Sequence, residues 1–360
     1  MSAERPQQAL RDVFAGVLLG TAVGDALGLP AENLSPARIR RLWKGQWRMR
    51  FCFGCGMMSD DTEHTLMVAQ ALLSHPKDAA AFQRALGWKL RWWFAGLPGG
   101  VGIATARACV KLWIGFPASM AAVASAGSGP AMRSGIIGAF FADDAELRQE
   151  FVLASSRLTH RGWQAETAAL AVAECAALAV RTQGRPQVGQ TLELLRGLSS
   201  EVKWRSALSR IESSLAAQQS VSEFARTLGL DKGVTGYSLH VVPVAVYAWL
   251  QCPVDFRMAL VSALECGGDT DTVGAILGAL MGANLGGEGV PSDWYNRIRE
   301  WPRSVAFMRQ VAARLAMQSA SQPPIGPVRY FWPGLIARNV FFLLVVLAHG
   351  FRRLAPPYHA

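Results

Sequence analysis

Apolar residues recur at helical spacing along most of the chain, and the alternating pattern typical of strands is nearly absent. The clearest helical runs are rich in strong helix formers: Glu63 to Leu73, Trp163 to Arg181, Val241 to Leu250 and Val273 to Leu285. Clusters of Gly and Pro predict turns or loops between helices at 97–102, 127–130, 267–268 and 322–327. The pattern shows no fixed-period repeat and predicts an all-α fold of many helices.

The chain changes character once, near residues 319–327, where Ser, Gln and Pro replace the apolar periodicity. We therefore expect one compact domain over residues 1–318 and a linker over residues 319–327. An apolar, Arg-flanked C-terminal helix should follow over residues 328–360.

The C-terminal segment is strongly apolar from Leu335 to Ala348, but Arg338 and Asn339 interrupt it and leave an unbroken run of nine residues. That run is shorter than the ~20 residues that a membrane-spanning helix needs. Two hypotheses remain for the tail. It lies on an anionic membrane surface, helped by flanking basic and aromatic residues, or it packs onto the body or into an oligomer interface. The flanking residues are Arg329, Trp332, Arg352 and Arg353.

Composition excludes disorder as the main state, because 51% of the 360 residues are hydrophobic and only 17% are charged. The six cysteines are widely spread, which predicts reduced thiols rather than a disulfide framework. Glu4 and Asp12 interrupt the N-terminal apolar pattern, so a signal peptide is not expected. These features predict a cytoplasmic protein, with peripheral attachment to the inner membrane if the tail binds lipid.

The net charge of +10 comes partly from an acid-free stretch in which six basic residues from Arg38 to Arg50 interleave with Trp43 and Trp47. Such a cluster could bind phosphates or nucleic acid. The alternative, which we favour, is a solvated face whose tryptophans pack inward. Since no recognition motif accompanies the charge, we do not expect a nucleic-acid partner.

Two acidic clusters stand directly before helical runs, and they read SDDT at 59–62 and GGDTDT at 267–272. Asp, Ser and Thr are common helix caps, because their oxygens accept from unpaired amides of the first turn. One cap oxygen per helix is enough, so the surplus carboxylates indicate a metal site. An all-oxygen set favours Mg²⁺, Mn²⁺ or Ca²⁺ over Zn²⁺, and the short spacings allow two ions to share carboxylates.

The sequence GVLLGTAVGDALGLPAE at 16–32, followed by these two clusters, resembles the ADP-ribosylglycohydrolase family in order and spacing. Further similar pieces lie between them: GSGPAMR at 127–133, Thr159-His160 and Gly236-Tyr237. The resemblance covers residues 13–291. It implies a compact, single-domain orthogonal bundle of helices with two Mg²⁺ ions, or Mn²⁺, in a cleft.

By this resemblance, the metal ligands would be Ser59, Asp60, Asp61, Asp269, Asp271 and Thr272. The family usually has Thr where this chain has Ser59, which keeps a hydroxyl oxygen. Glu32 falls at the position of the family's catalytic or metal-adjacent glutamate. The substrate-binding positions would be Gly100, Gly102, Gly127, Ser128, Gly129, His160 and Tyr237, where Gly-rich turns suit the pyrophosphate of ADP-ribose.

The implied activity is Mg²⁺-dependent cleavage of the bond between ADP-ribose and a modified acceptor, with protein arginine as the default. ADP-ribosylated protein would be the substrate and ADP-ribose the product. Hydrolysis of a serine or nucleic-acid linkage is an alternative. A second alternative is an ADP-ribose-binding or immunity protein with weak or no turnover.

Overall fold

A computed structural model describes residues 7–184, 186–318 and 323–354. These residues form 18 α-helices, three short 3₁₀ turns and two two-residue strands. The helices are α1 Gln7–Gly28, α2 Pro36–Trp43, α3 Asp60–Ser74, α4 Ala79–Ala95, α5 Ile103–Trp113, α6 Gly129–Met132, α7 Gly135–Phe140, α8 Ala145–Ser156, α9 Trp163–Thr182, α10 Val188–Gly197, α11 Val202–Ala216, α12 Val221–Thr227, α13 Ser238–Gln251, α14 Phe256–Leu264, α15 Thr270–Leu285, α16 Ser292–Tyr295, α17 Val305–Met317 and α18 Gly334–Leu354. The 3₁₀ turns are Leu29–Ala31, Cys52–Gly54 and Ala118–Met120, and the parallel strands are β1 Val123–Ala124 and β2 His160–Arg161.

The structure confirms the all-α prediction and each of the four helical runs. Helices α3, α9, α13 and α15 contain those runs and extend them by a few residues. Positions 319–322 of the predicted linker and 355–360 of the predicted tail lie outside the described residues.

Helices α1 and α15 pack antiparallel through matching glycines, a contact called here the α1–α15 crossing. A Cβ placed on Gly20 would lie 2.1 Å from the carbonyl oxygen of Gly278, and one on Gly24 would lie 1.9 Å from that of Gly274. Only glycine permits backbones to approach this closely. The crossing places the C-terminal end of α1 against the N-terminal end of α15, where the second acidic cluster begins.

The basic stretch from Arg38 to Arg50 is anchored by its tryptophans. Trp43 and Trp47 are 1% and 7% exposed, and their ring centroids are 5.7 Å apart. The guanidinium of Arg50 lies 4.4 Å from the centre of the Trp43 ring. The tryptophans therefore pack inward, as the favoured interpretation predicts.

The C-terminal helix α18 is longer than its unbroken apolar run indicates. By length and composition, two helices in the described residues could span a membrane: Gln7–Ala31, with 89% of its 18-residue apolar window buried, and the 21-residue Gly334–Leu354, with 33% of that window buried. The prediction that the tail is too short for this was wrong. It counted Arg338 and Asn339 as interruptions, whereas both continue the helix on the face that packs against the body.

Candidate active site

The first acidic cluster is held at the start of α3 by a carboxylate from α1. Ser59 is the N-cap residue of α3, and its hydroxyl accepts from the amide of Asp61 at 3.2 Å. The fully buried carboxylate of Asp25 accepts from the amide of Ser59 at 3.0 Å. It also accepts from the amide and the hydroxyl of Thr62 at 3.2 and 2.5 Å. Asp25 therefore fixes the loop that presents Ser59, Asp60 and Asp61.

Asp25 is not among the site residues predicted from the sequence, although it lies in the recognised motif at 16–32. An acidic residue inside the apolar run of α1 was the available signal, because a buried carboxylate needs partners. Burial raises the pKa of Asp25 to about 7, although its hydrogen bonds oppose this effect.

The second acidic cluster is placed by a backbone crossing at Gly268. Its amide donates to the carbonyl of Leu34 at 2.8 Å, and its carbonyl accepts from the amide of Asn33 at 2.8 Å. The φ of Gly268 is +80°, and a Cβ there would lie 1.9 Å from the carbonyl oxygen of Val234. Gly268 thereby brings the Glu32 loop beside Asp269 and the first turn of α15.

The two acidic clusters meet at Asp61. One of its carboxylate oxygens accepts from the hydroxyl of Ser59 at 3.0 Å and from that of Thr272 at 3.4 Å. Burial, reinforced by nearby carboxylates, raises the pKa values of Asp60, Asp61 and Asp271 well above the ordinary value. Burial also raises the pKa of Asp269. All six predicted metal-binding residues thus belong to one acidic centre.

The acidic centre has the chemistry of a divalent-cation site. Among the described residues, Asp61 Oδ1 and Asp271 Oδ1 are buried without a hydrogen-bond partner. Unpaired buried carboxylate oxygens are costly unless they are protonated or bind a cation. In the same part of the chain, no three carboxylate, imidazole or thiol groups converge as ligands of one ion. Serine and threonine hydroxyls and water would therefore have to complete the ligand set, and Mg²⁺ usually keeps several waters.

Glu32 lies at the edge of this centre. Its carboxylate accepts from the side-chain amide of Asn33 at 3.1 Å. Burial and, after it, the charge of Asp269 raise the pKa of Glu32. A cavity of about 440 Å³ lies between the Glu32 loop and α18, with Arg38, Phe51, His349 and Arg353 among its lining residues. Arg353 donates to the backbone carbonyl of Glu32 at 3.3 Å, so the C-terminal helix borders the site.

Five predicted substrate-binding residues also come together. The imidazole of His160 packs against the loop at 127–129: a Cβ on Gly127 would lie 3.1 Å from its Nε2, and one on Gly129 would lie 2.9 Å from its Cε1. The amide of Ser128 donates to the carbonyl of Gly236 at 3.1 Å, and Gly127 pairs with Tyr237 in a β-bridge. A Cβ on Gly236 would lie 3.4 Å from Asp269 Oδ2. The glycine-rich loop therefore adjoins the acidic centre.

A buried arginine supports this loop. Arg133 is 0% exposed and donates to the backbone carbonyl of Ser155 and the hydroxyl of Thr159, both at 2.8 Å. The hydroxyl of Thr159 lies 2.9 Å from Nδ1 of His160. Burial and, secondarily, Arg133 lower the pKa of His160 to about 3, so its imidazole is neutral near pH 7. The sequence assigned no role to Arg133, and the structure makes it a support for His160.

The remaining predicted substrate-binding residues, Gly100 and Gly102, lie between α4 and α5. Their Cβ positions would meet no atom within 4 Å. The neighbouring Gly99 lies against the ring of Phe342 in α18, at 3.1 Å from its Cβ position. A phosphate-binding role for Gly100 and Gly102 stays a prediction.

Comparisons with known proteins agree with this geometry. A sequence profile described as ADP-ribosylglycohydrolase matches residues 6–324. The chain is 29% identical over 319 residues to an uncharacterised protein of Archaeoglobus fulgidus, covering 85% of this chain and 96% of that protein. It is 26% identical over 321 residues to the ADP-ribosyl-[dinitrogen reductase] glycohydrolase of Rhodospirillum rubrum, covering 86% of this chain and 97% of that enzyme. A solved structure described as an ADP-ribosylglycohydrolase-related protein complex matches with a TM-score of 0.64 and 25% identity, over 86% of this chain and 99% of that chain.

Proposed function

The chain belongs to the ADP-ribosylglycohydrolase family, a family of hydrolases of ADP-ribose linkages, and on that premise we propose that it is a divalent-metal-dependent enzyme that removes ADP-ribose from a modified protein, with arginine as the default acceptor. The reaction breaks the bond between C1″ of the ribose and the acceptor nitrogen. The oxygen of water joins C1″, and the acceptor leaves with a proton.

The observation that carries this proposal is the meeting of the two acidic clusters around buried carboxylate oxygens without partners. Two Mg²⁺ or Mn²⁺ ions would be held by the six residues Ser59, Asp60, Asp61, Asp269, Asp271 and Thr272. When bound, such ions neutralise carboxylates and polarise hydroxyl and water oxygens.

The protein groups around this centre have separate tasks in the proposal. Glu32 would accept or relay the proton released as water attacks C1″, because its carboxyl lies beside the acidic centre. The glycine-rich loop at 127–129 would contact the pyrophosphate. Its Gly127 and Ser128 amides already donate to the Ser125 hydroxyl and the Gly236 carbonyl, so the Gly129 amide would be the donor to a phosphate oxygen. His160, neutral and held by Thr159, would orient that loop and the ligand rather than donate a proton.

The test is release of free ADP-ribose from arginine-ADP-ribosylated and serine-ADP-ribosylated proteins, with Mg²⁺ and with EDTA. We expect Mg²⁺-dependent release from the arginine substrate. Release from the serine substrate alone would correct the acceptor but keep the hydrolase. ADP-ribose binding without release from either would favour a binding or immunity protein.

Glu32→Gln separates binding from chemistry. We expect it to lower the rate of release by about 10²-fold or more while it leaves ADP-ribose affinity nearly unchanged. Thermal shift with Mn²⁺ provides a readout that does not depend on turnover, and the variant should retain the Mn²⁺-induced stabilisation. A fully active variant would exclude Glu32 from catalysis.

A further inference from the structure

The C-terminal helix α18 is oriented with its polar side chains inward. Between Gly334 and Gly350 the polar side chains are those of Arg338, Asn339 and His349, and each faces the body of the protein. Arg338 pairs with Glu300 and is 8% exposed, and Asn339 donates to the carbonyl of Gly96 at 2.8 Å and is 1% exposed. A helix on a water-exposed surface normally has the reverse arrangement.

The outer face of α18 is apolar along the whole helix. Its eight large side chains are between 40% and 74% exposed: Ile336, Val340, Phe341, Leu343, Leu344, Leu347, Phe351 and Leu354. A helix of this length extends for about 30 Å. A continuous apolar stripe of this size is a mark of contact with another apolar surface rather than with water.

Exposed aromatic side chains continue this stripe at the N-terminal end of α18. Phe331 is 61% exposed, and Trp92 and Trp113 are 48% and 45% exposed. The ring centroid of Trp92 lies 5.3 Å from that of Trp332 and 5.7 Å from that of Trp113. Tryptophan is enriched at the boundary between lipid and water, where its ring is partly apolar and partly polar.

The charge around the stripe favours a bilayer over a second copy of the chain. After Glu300 the sequence contains no acidic residue, and exposed Arg329 and Arg352 flank the two ends of the stripe. Packing the stripes of two copies together would bring their positively charged arginines close to one another. Anionic lipid headgroups would instead attract them.

We propose that the outer face of α18 docks flat in the interfacial layer of a bilayer that contains anionic lipid. The helix lies along the surface and does not cross the bilayer, because the inner face stays bound to the body through Arg338 and Asn339. Since Arg353 also contacts the Glu32 loop, membrane docking would place the mouth of the site beside the lipid surface.

Vesicle flotation tests the docking with the full chain. The vesicles are pure phosphatidylcholine or phosphatidylcholine with about 30 mol% phosphatidylglycerol. We expect the protein to float with the anionic vesicles, and Leu343→Asp/Leu344→Asp to reduce this by about tenfold or more. The matched control, Val202→Asp/Met258→Asp, adds the same charges at residues that are 81% and 62% exposed on α11 and α14, and it should float like the unmodified protein.

Each other outcome overturns the proposal. Absence of flotation with anionic vesicles excludes docking, and equal flotation with both vesicle types excludes the role of anionic lipid. Light scattering after size exclusion gives the oligomeric state. A dimer that Leu343→Asp/Leu344→Asp dissociates, without vesicle binding, would make a second copy the occupant. Circular dichroism and ADP-ribose release in solution check that both double variants are folded.

Discussion

Asp25 links the central helix α1 to the acidic centre without being one of the predicted metal ligands. Its carboxylate is the acceptor for three donors at the start of α3, namely two amides and the hydroxyl of Thr62. If Asp25 were replaced, these buried donors would lose their acceptor, and water could not take its place. The residue therefore positions Ser59, Asp60 and Asp61, and its replacement should affect metal binding as well as folding.

We expect Asp25→Ala to lower the free energy of unfolding by about 3 kcal/mol, since each unsatisfied buried donor costs ~1–3 kcal/mol. It should also weaken Mn²⁺ binding, followed by electron paramagnetic resonance, by about tenfold or more. Asp12→Ala is the matched control: Asp12 accepts from the amide of Gly287 at 3.0 Å, at the opposite end of α1. That variant should lose stability but keep Mn²⁺ affinity. Equal Mn²⁺ affinity in both variants would show that Asp25 is purely structural.

The sequence was most informative at the residue scale where chemistry depends on local spacing. The two acidic clusters could be identified because each is a short motif before a helix, and the glycine-rich loop could be identified through its resemblance to the family. Asp25 and Arg133 could not be assigned in the same way, because their partners Ser59 and Thr159 are 34 and 26 positions away. Contacts between distant residues depend on helix packing, which one sequence does not show.

The crossing of α1 and α15 shows the same limit for whole helices. Glycines recur at intervals of four in both, at 16, 20, 24 and 28 in α1 and at 274, 278 and 282 in α15. The sequence predicts α15 and contains the recognised motif with the α1 glycines, but it does not show that the two helices pack together. Only the structure shows that the glycines face one another, with Gly16 against Gly282 and Gly28 against Thr270.

Gly20→Ala tests this crossing. Its Cβ would lie 2.1 Å from the carbonyl oxygen of Gly278, a backbone atom that cannot turn aside as a flexible side chain can. We expect the free energy of unfolding to fall by about 3 kcal/mol or more, measured by urea denaturation. Gly189→Ala is the matched control in α10, where a Cβ would meet no atom within 4 Å. Since alanine favours helix, that variant should be unchanged or more stable by ~0.5 kcal/mol. Equal stability of the two variants would contradict the close approach.

The C-terminal helix illustrates why an apolar run is a poor guide to a helix's environment. The polar residues Arg338 and Asn339 divided the apolar pattern in the sequence, yet in the structure they attach α18 to the body. The sequence left open whether the tail packs on the body or binds a surface. The structure shows packing through the inner face and leaves the apolar outer face exposed.

At the scale of the whole molecule, the buried carboxylates connect stability to pH and to metal. A carboxyl whose pKa is higher in the folded protein binds its proton more tightly there than in the unfolded chain. Asp25 is such a group, with its pKa raised by burial from 3.8 to about 7, and Asp61 and Asp271 shift in the same direction. Their contribution to stability is complete below the unfolded pKa and is lost as the pH rises through the folded pKa.

We therefore expect the metal-free protein in EDTA to lose several degrees of melting temperature between about pH 5 and about pH 8. With Mg²⁺ or Mn²⁺ the decline should be smaller, because a bound cation stabilises the ionised carboxylates that burial disfavours. Thermal denaturation at each pH, with EDTA and with metal, measures both effects. In Asp61→Asn/Asp271→Asn the metal-free profile should be flatter and the response to metal reduced, since two ionisable groups are gone from the centre. The same decline with and without metal in the unmodified protein would mean that no cation binds between these carboxylates, and the metal-dependent mechanism would fail with it.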